Sequence, residues 1–272
     1  MAVTMAEISK LRTMTGAGMM DCKSALAEAG NDFEKAIEII RKKGQALAAK
    51  RSDREAFEGC VLAAYNGGFA AIIALKCETD FVAKNADFIA LTQSILDVIM
   101  AQKPASIEEI QGLKIGAQTI QELITERIGV TGEKMELDFY EFVNGGTTTA
   151  YIHPGNKLAT LVAFADEGVD AQVARDVAMQ AAAMNPISLD RSSVPAKVIE
   201  TELEVGREKA REEGKPENML EKIAEGRLNK FYQESTLVEQ AFIKDNKLTV
   251  AAYLKANGAT ATAFKRVTLN QE

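Results

Sequence analysis

The segment CVLAAYNGGFAAIIALK, residues 60–76, carries the strongest local fold signal in this chain. Two apolar runs, 60–65 and 69–76, are separated by Asn66-Gly67-Gly68. An Asn-Gly pair between two apolar runs favours a tight hairpin, because glycine adopts the positive backbone angle that such turns require. We therefore predict two antiparallel strands joined at this turn.

A polar loop and an amphipathic helix are predicted after this hairpin. The loop covers residues 77–85, and the helix runs from about 87 to 101, with Asp87 as its N-cap and Pro104 beyond its end. Two further short helices are expected near residue 107 and over 119–128.

The same order of elements returns later in the chain. Strands are predicted over 136–143, 147–153 and 158–164, with glycine-containing turns between them. A helix over 170–184 follows the last of these strands. Repetition of a hairpin and then a helix predicts an internal structural repeat. It also favours an α+β fold over a parallel βαβ sheet.

The first 45 residues predict a small bundle of three short helices. The first helix ends at the sequence TGAG over 15–18, the second covers 21–29, and the third runs from about residue 32 to Gly44. Residues 45–55 are rich in Ala, Lys and Arg and lack an apolar stripe. We interpret them as a helical linker at a domain boundary.

A long helical insertion is predicted over residues 194–233. Small and apolar residues recur there at alternating spacings of three and four, which is the spacing of a heptad seam. The seam residues are Ala196, Ile199, Leu203, Gly206 and Ala210. Gly214-Lys215-Pro216 then turns the chain, and the apolar spacing resumes to Phe231. This pattern predicts an antiparallel helical hairpin, roughly 25–30 Å long at about 1.5 Å per residue.

These elements predict three parts of the chain. Residues 1–52 form a helical domain with its linker, and residues 53–134 form an N-terminal α/β subdomain. Residues 135–272 form a C-terminal α/β subdomain that contains the 194–233 hairpin and ends with a helix and a strand.

Composition narrows the classes of function. The net charge of −7 argues against a nucleic-acid-binding surface and against an anionic membrane as partner. The three cysteines form no C-x-x-C pair, which fits a reducing cytoplasm. His153 is the single histidine, so a multi-histidine metal site is excluded. We expect no cofactor. Since the G-x-x-x-x-G-K-[ST] pattern is absent, we also expect no GTP bound by the chain itself.

Four segments of the chain resemble the elongation factor Ts family, in the family's order. They are TGAGMMDCK at 15–23, ETDFVAKN at 78–85, YIHPG at 151–155, and EGRLNKFY at 225–232 followed by EQAFIKD at 239–245. The first two segments are highly specific, and the resemblance covers nearly the whole chain. It implies a ubiquitin-associated-like three-helix domain, two related α/β subdomains and a protruding coiled-coil hairpin.

The chain also departs from the family's pattern. Asn156 and Lys157 stand where Gly and Arg are common, and Ala241 replaces a frequent proline. Some family members carry an additional C-terminal helical module beyond the last strand, where this sequence stops. Contacts that belong to that module are therefore not carried over to this chain.

The resemblance implies a cytoplasmic translation elongation factor that acts by binding and is not an enzyme. Its expected partner is the GTPase elongation factor Tu with bound GDP. Binding would disturb the Mg²⁺ and phosphate site of that partner, promote GDP release and allow GTP to rebind. The residues implied in partner binding are Leu11, Arg12, Met19, Met20 and His153. Those implied in disturbing the Mg²⁺ site are Thr79, Asp80, Phe81 and Val82.

Each site assignment has a structural alternative. Adjacent residues at a helix start cannot both point inward, so we predict that one of Met19 and Met20 is exposed and the other packs in the core. Asp80 could instead be a turn or cap residue, and Phe81 a buried anchor of its loop. His153 fits a structural role and a partner contact equally well.

Two other classes of function compete with nucleotide exchange. A scaffold would tether partners through its helical domain and hairpin without accelerating any step. An enzyme using carboxylates such as Glu78 and Asp80 lacks a second catalytic group in the sequence. The charged hairpin fits a solvated arm, an interaction element or a dimerisation element, so a homodimer and a higher complex with the partner both stay open.

Overall fold

The structure is a computed structural model that describes residues 3–270, so the outermost two residues of the predicted first and last domains lie outside it. Helices and strands are mixed along the chain, consistent with the predicted α+β class. The helices are α1 Met5–Thr15, α2 Met19–Glu28, α3 Phe33–Arg51, α4 Asp80–Ala83, α5 Ala86–Gln102, α6 Ile107–Gly112, α7 Ile120–Thr131, α8 Ala171–Met184, α9 Ala196–Glu212, α10 Leu220–Ser235 and α11 Val250–Ala256. The strands are β1 Glu58–Asn66, β2 Phe69–Cys77, β3 Lys114–Ile115, β4 Gln118–Thr119, β5 Met135–Asn144, β6 Thr147–Ile152, β7 Leu158–Phe164, β8 Ala241–Phe242, β9 Asp245–Thr249 and β10 Ala261–Thr268.

The chain forms two compact units. One comprises Met1–Leu62, Ile73–Tyr140 and Leu269–Glu272, and the other comprises Ala63–Ile72 and Glu141–Thr268. The three-part division expected from the sequence stays a prediction.

Three helices at the start of the first unit share one apolar core. Fully or nearly fully buried side chains from α1, α2, α3 and the turn between α1 and α2 meet there. They are Ile8, Leu11, Ala17, Cys22, Ala25, Leu26 and Ala36. The Thr4 hydroxyl and the Glu7 carboxylate form a capping box at the start of α1. Asp32 caps α3 by accepting from the amides of Glu34 and Lys35.

The predicted end of the third helix at Gly44 is wrong. Helix α3 continues through Gly44 to Arg51, so it includes most of the segment predicted as a linker. Gly44 is buried, and Cα of Gly129 on α7 lies 3.6 Å from the position that a β-carbon would take on Gly44. Gly44 is therefore a close-approach residue inside a helix and not a helix terminator.

The two three-stranded sheets have the same strand order. In each, a hairpin supplies the first two strands, and the second of these lies in the middle. The orders are β1-β2-β5 and β6-β7-β10. Strand β7 pairs antiparallel with both β6 and β10. A helix lies between hairpin and third strand along the chain in both cases, which agrees with the expected internal repeat.

The second unit is built around β7 and α8. Val162 and Phe164 of β7 pack with Val177 and Ala181 of α8 and with Leu254 of α11. Asp176 of α8 is buried, and its carboxylate accepts from the Gln172 amide, the Lys244 ammonium and the Tyr253 hydroxyl at 2.6–3.0 Å. This carboxylate therefore ties the β8–β9 segment and α11 to α8.

The two predicted helices of the 194–233 insertion are α9 and α10. They approach closely at Gly206, where an added β-carbon would lie 3.0 Å from Cα of Ala224. Gly206 and Ala210 of the predicted seam are buried, as is Ala224 of α10, whereas Ala196 at the start of α9 is exposed. Ion pairs link the two helices at 2.6–2.7 Å, between Arg207 and Glu221 and between the Glu213 turn and Arg227.

Candidate functional site

Phe81 on α4 is the most exposed large hydrophobic residue in the described part of the chain, at 85%. Burying a phenylalanine side chain is favourable by about 1.5–3 kcal/mol. The Phe81 side chain is therefore available for burial against another molecule, although a single exposed apolar residue is not by itself a binding surface. The alternative of a buried loop anchor is wrong for Phe81.

Helix α4 is a single turn that replaces part of the loop predicted over 77–85. Thr79 is its N-cap, and the Thr79 hydroxyl accepts from the Val82 amide at 3.4 Å. Asp80 lies in the first turn and forms an ion pair with Lys84 at 2.7 Å. This hydrogen bond to Asp80 raises the pKa of the Lys84 ammonium. Asp80 is therefore neither the cap of α4 nor the cap of α5.

The predicted N-cap at Asp87 is also wrong. Helix α5 begins at Ala86, and the Asn85 side chain accepts from the amides of Asp87 and Phe88 at 2.9 and 3.3 Å. Asp87 instead sits in the first turn, where a negative charge interacts favourably with the helix dipole. Asn85 has the extended backbone of an N-cap residue, with φ −67° and ψ 131°, so the helix starts directly after it.

Two carboxylates hold the chain immediately before α4. Glu133 accepts from the Thr79 hydroxyl at 2.6 Å and from the Thr79 amide at 3.0 Å. Glu78 accepts from the Lys134 amide at 2.6 Å. Glu78 also forms ion pairs with Arg51 at 3.3 Å and Arg54 at 3.0 Å.

These partners set the ionisation of Glu78. Burial alone would raise the pKa of Glu78. The Lys134 amide and the guanidinium groups of Arg54 and Arg51 outweigh burial and hold this pKa below its usual value of 4.5. The carboxylate is thus an anion at neutral pH that joins the end of α3 to the loop after α7.

The four residues implied at the Mg²⁺-disturbing site therefore have different surroundings. Phe81 is exposed, Asp80 is half-exposed and ion-paired, and Val82 is half-buried. The hydroxyl and amide of Thr79 both bond within the protein. The structure brings these four residues together on α4 and its cap.

Met19 and Met20 are both exposed, at 45% and 71%. The prediction that one of them packs in the core is wrong. Gly18 is the N-cap of α2, and the inward positions around this helix start are taken by Ala17 and Cys22, which are buried. Both methionine side chains are consequently available to another molecule.

Leu11 and Arg12, adjacent on α1, differ in exposure. Leu11 is fully buried among the first three helices, so its side chain offers no surface to a partner in this conformation. We assign Leu11 to the core and remove it from the candidate site. Arg12, one position later on α1, is exposed.

His153 lies in the second unit, directly after β6, and is exposed. Its Nδ1 is 3.1 Å from the Tyr151 hydroxyl. The Arg175 guanidinium lies over the Tyr151 ring, 5.6 Å from its centroid. The histidine ring is thus held by its neighbours and still presents a face to solvent.

Sequence reasoning missed Glu133. It lies 54 residues from Thr79 along the chain, and no local spacing pattern links the two.

Within residues 3–270, no group of three or more His, Cys, Asp or Glu side chains could hold a metal ion. None of the helices described there is long and apolar enough to cross a membrane.

Comparison with known proteins agrees with the resemblance in the sequence. The family model described as "Elongation factor TS" matches residues 78–271. The chain is 60% identical to elongation factor Ts of Porphyromonas gingivalis and 54% identical to that of Azobacteroides pseudotrichonymphae. It is 47% identical to elongation factor Ts of Phocaeicola vulgatus. Each alignment covers 100% of both chains. The chain therefore belongs to the elongation factor Ts family, and so to the translation elongation factors.

Proposed function

We propose that this chain binds elongation factor Tu in its GDP-bound form and speeds the release of GDP, after which GTP binds. The observation that carries the proposal is Phe81, a phenylalanine 85% exposed on a short helix whose N-terminus is held by hydrogen bonds. In this proposal the ring inserts beside the nucleotide site of the partner, and Asp80 acts on the surroundings of the Mg²⁺ ion.

Thermodynamic linkage supports this mode of action. GTPases hold nucleoside diphosphates mainly by contacts of the phosphates with Mg²⁺ and with backbone amides. A protein that binds the nucleotide-free partner more tightly must weaken nucleotide binding by the same factor. The chain therefore acts by binding, without breaking a covalent bond.

We propose that four further exposed residues, three in the first unit and His153 in the second, also contact the partner. Met19 and Met20 offer flexible apolar side chains, which adapt well to a partner's groove. Arg12 and His153 offer polar contacts. We also propose that the first three helices are the ubiquitin-associated-like domain of the family, and that the α9–α10 hairpin is its coiled-coil arm.

The test is stopped-flow release of fluorescent GDP from elongation factor Tu in excess unlabelled GDP. We expect the wild-type chain to accelerate release strongly. Phe81→Ala should lose roughly tenfold or more of that acceleration, since it removes the burial energy of one aromatic side chain. Phe57→Ala is the matched control, because Phe57 is also exposed, at 58%, and lies outside the proposed site.

The outcomes separate the competing functions. Binding of the wild-type chain without acceleration would contradict exchange and favour a scaffold. Equal losses of acceleration in Phe81→Ala and Phe57→Ala would still support nucleotide exchange as the function but would contradict a specific role of Phe81.

A further inference from the structure

We infer that Glu133 is a positioning residue for Phe81 and acts through Thr79. This inference rests on the proposed exchange function. Two dipeptides, Glu78-Thr79 and Glu133-Lys134, bind each other through their carboxylates: the glutamate of each accepts hydrogen bonds from the second residue of the other. We name this arrangement the carboxylate clasp. Glu133 accepts from the amide and hydroxyl of Thr79, while Glu78 accepts from the amide of Lys134.

The clasp compensates for the shortness of α4. An isolated helix of four residues does not persist in water, because the first turn costs more backbone entropy than its single hydrogen bond returns. Hydrogen bonds to an ionised carboxylate are roughly twice as strong as neutral ones. The two bonds from Thr79 to Glu133 therefore hold the helix start where the helix itself cannot.

The Thr79 hydroxyl passes this restraint into α4. It donates to Glu133 at 2.6 Å and accepts from the Val82 amide at 3.4 Å. Donation to an anion polarises the hydroxyl oxygen and makes it a better acceptor. Ala83 is buried beneath the same turn. Phe81 is thus exposed on a turn that is held at its cap and at its inner face.

Both carboxylates of the clasp are anchored in turn. Gly132 has φ +78° at the C-cap of α7, and the Glu133 amide donates to the Thr131 hydroxyl at 3.3 Å. Glu78 is held by Arg51, the last residue of α3, and by Arg54 just beyond it. Loss of Glu133 therefore removes a support that no local residue of α4 replaces.

The consequence for exchange is a loss of rate with little loss of binding. Without the clasp, Phe81 keeps its chemistry but samples several orientations, and only some place the ring correctly. In Glu133→Gln, the side-chain oxygen can accept from one of the two Thr79 donors. The side-chain NH₂ group, itself a donor, then faces the second Thr79 donor and cannot accept from it.

The first test is amide hydrogen exchange over residues 80–84 of the free protein. We expect exchange in Glu133→Gln and in Thr79→Val to be about tenfold faster or more, as hydrogen bonds to a charged acceptor are lost. Thr79→Ser keeps the hydroxyl and should behave as wild type. Glu122→Gln is the matched control, because the Glu122 carboxylate accepts from the Thr119 amide at 2.8 Å in another capping box. Unchanged exchange in both Glu133→Gln and Thr79→Val would overturn the inference without reference to any partner.

The second test is a double-mutant cycle in GDP release. Glu133→Gln should lower the maximal rate about tenfold and leave the half-saturating concentration within about threefold. In the Phe81→Ala background the same change should have less than about a twofold effect, since the residue through which it acts is gone. An undiminished effect in that background would overturn positioning of Phe81. The wild-type chain could fail to accelerate GDP release while amide hydrogen exchange responds to the variants as expected. That result would support the clasp as a structural element and contradict a role of Phe81 and Glu133 in nucleotide exchange.

Discussion

Gly44 of α3 and Gly129 of α7 meet backbone to backbone. A β-carbon on Gly129 would lie 2.9 Å from Cα of Gly44. Arg41 and Glu126, one turn earlier on the same helices, form an ion pair at 2.8 Å. The two helices therefore cross where neither carries a side chain, and a β-carbon on Gly129 would push them apart, whereas one on Gly44 would lie at ordinary contact distance from Gly129.

This contact predicts that Gly129→Ala is destabilising. Alanine has the better helix propensity by up to about 1 kcal/mol, but overpacking against backbone costs about 1–3 kcal/mol. We expect a net decrease in the free energy of unfolding, measured by urea denaturation. Gly226→Ala on α10 is the control, since nothing lies within 4 Å of an added β-carbon there, and it should be neutral or stabilising. Equal effects of the two substitutions would contradict the close crossing.

The carboxylate of Glu78 predicts a stability loss in acid. Its pKa in the folded state lies below the usual value of 4.5, so the unfolded chain binds the proton more readily. The stabilisation is fully present above about pH 4.5 and is lost as pH falls through the lowered pKa. Glu78→Gln should therefore be less stable than wild type at pH 7, and the difference should shrink in acid.

Urea denaturation at several pH values between 7 and 3 checks this prediction. Glu217→Gln, which removes an exposed ion pair with Arg211, should leave stability nearly unchanged throughout. A difference between wild type and Glu78→Gln that stays constant down to pH 3 would show that ionisation of Glu78 contributes nothing.

Met20 is expected to affect affinity and not the maximal rate of exchange. Met20→Ala removes an apolar side chain that becomes buried in the proposed complex, and we expect a loss of roughly tenfold in affinity for elongation factor Tu. The half-saturating concentration in the GDP-release assay measures this. Met184→Ala, at the end of α8 and also exposed, is the control and should have no effect. The same weakening from both substitutions would remove Met20 from the proposed surface.

Much of the local structure was predictable from the sequence. The hairpin around Asn66-Gly67 forms as expected, and α8 falls within the predicted helix over 170–184. The predicted segment 194–233 contains two helices with a turn at Gly214, where φ is +72°. These features depend on turn chemistry, capping and apolar spacing among residues close together in the chain.

The surroundings of the candidate site were less predictable. Leu11 lies on the apolar face of α1, where helical spacing is typical of a core residue. Only the family resemblance placed it at the partner surface. Met19 and Met20 are both exposed because Ala17 and Cys22 occupy the inward positions. Asn85 and Asp87 are both good caps in sequence, and the backbone of the folded chain, extended at Asn85, makes Asn85 the cap.

The sequence by itself determined the order of the longer helices and strands, the likeness of the two sheets and the family of this protein, because each depends on short motifs and near neighbours. It did not show the one-turn helix α4 or the short strand pairs β3–β4 and β8–β9. Tertiary structure alone decided that Gly44 lies inside a helix against Gly129, and that Glu133 holds Thr79 from 54 positions away. Contacts between distant segments depend on how whole helices and strands pack, and the residue spacing within one segment does not indicate which other segment it will contact.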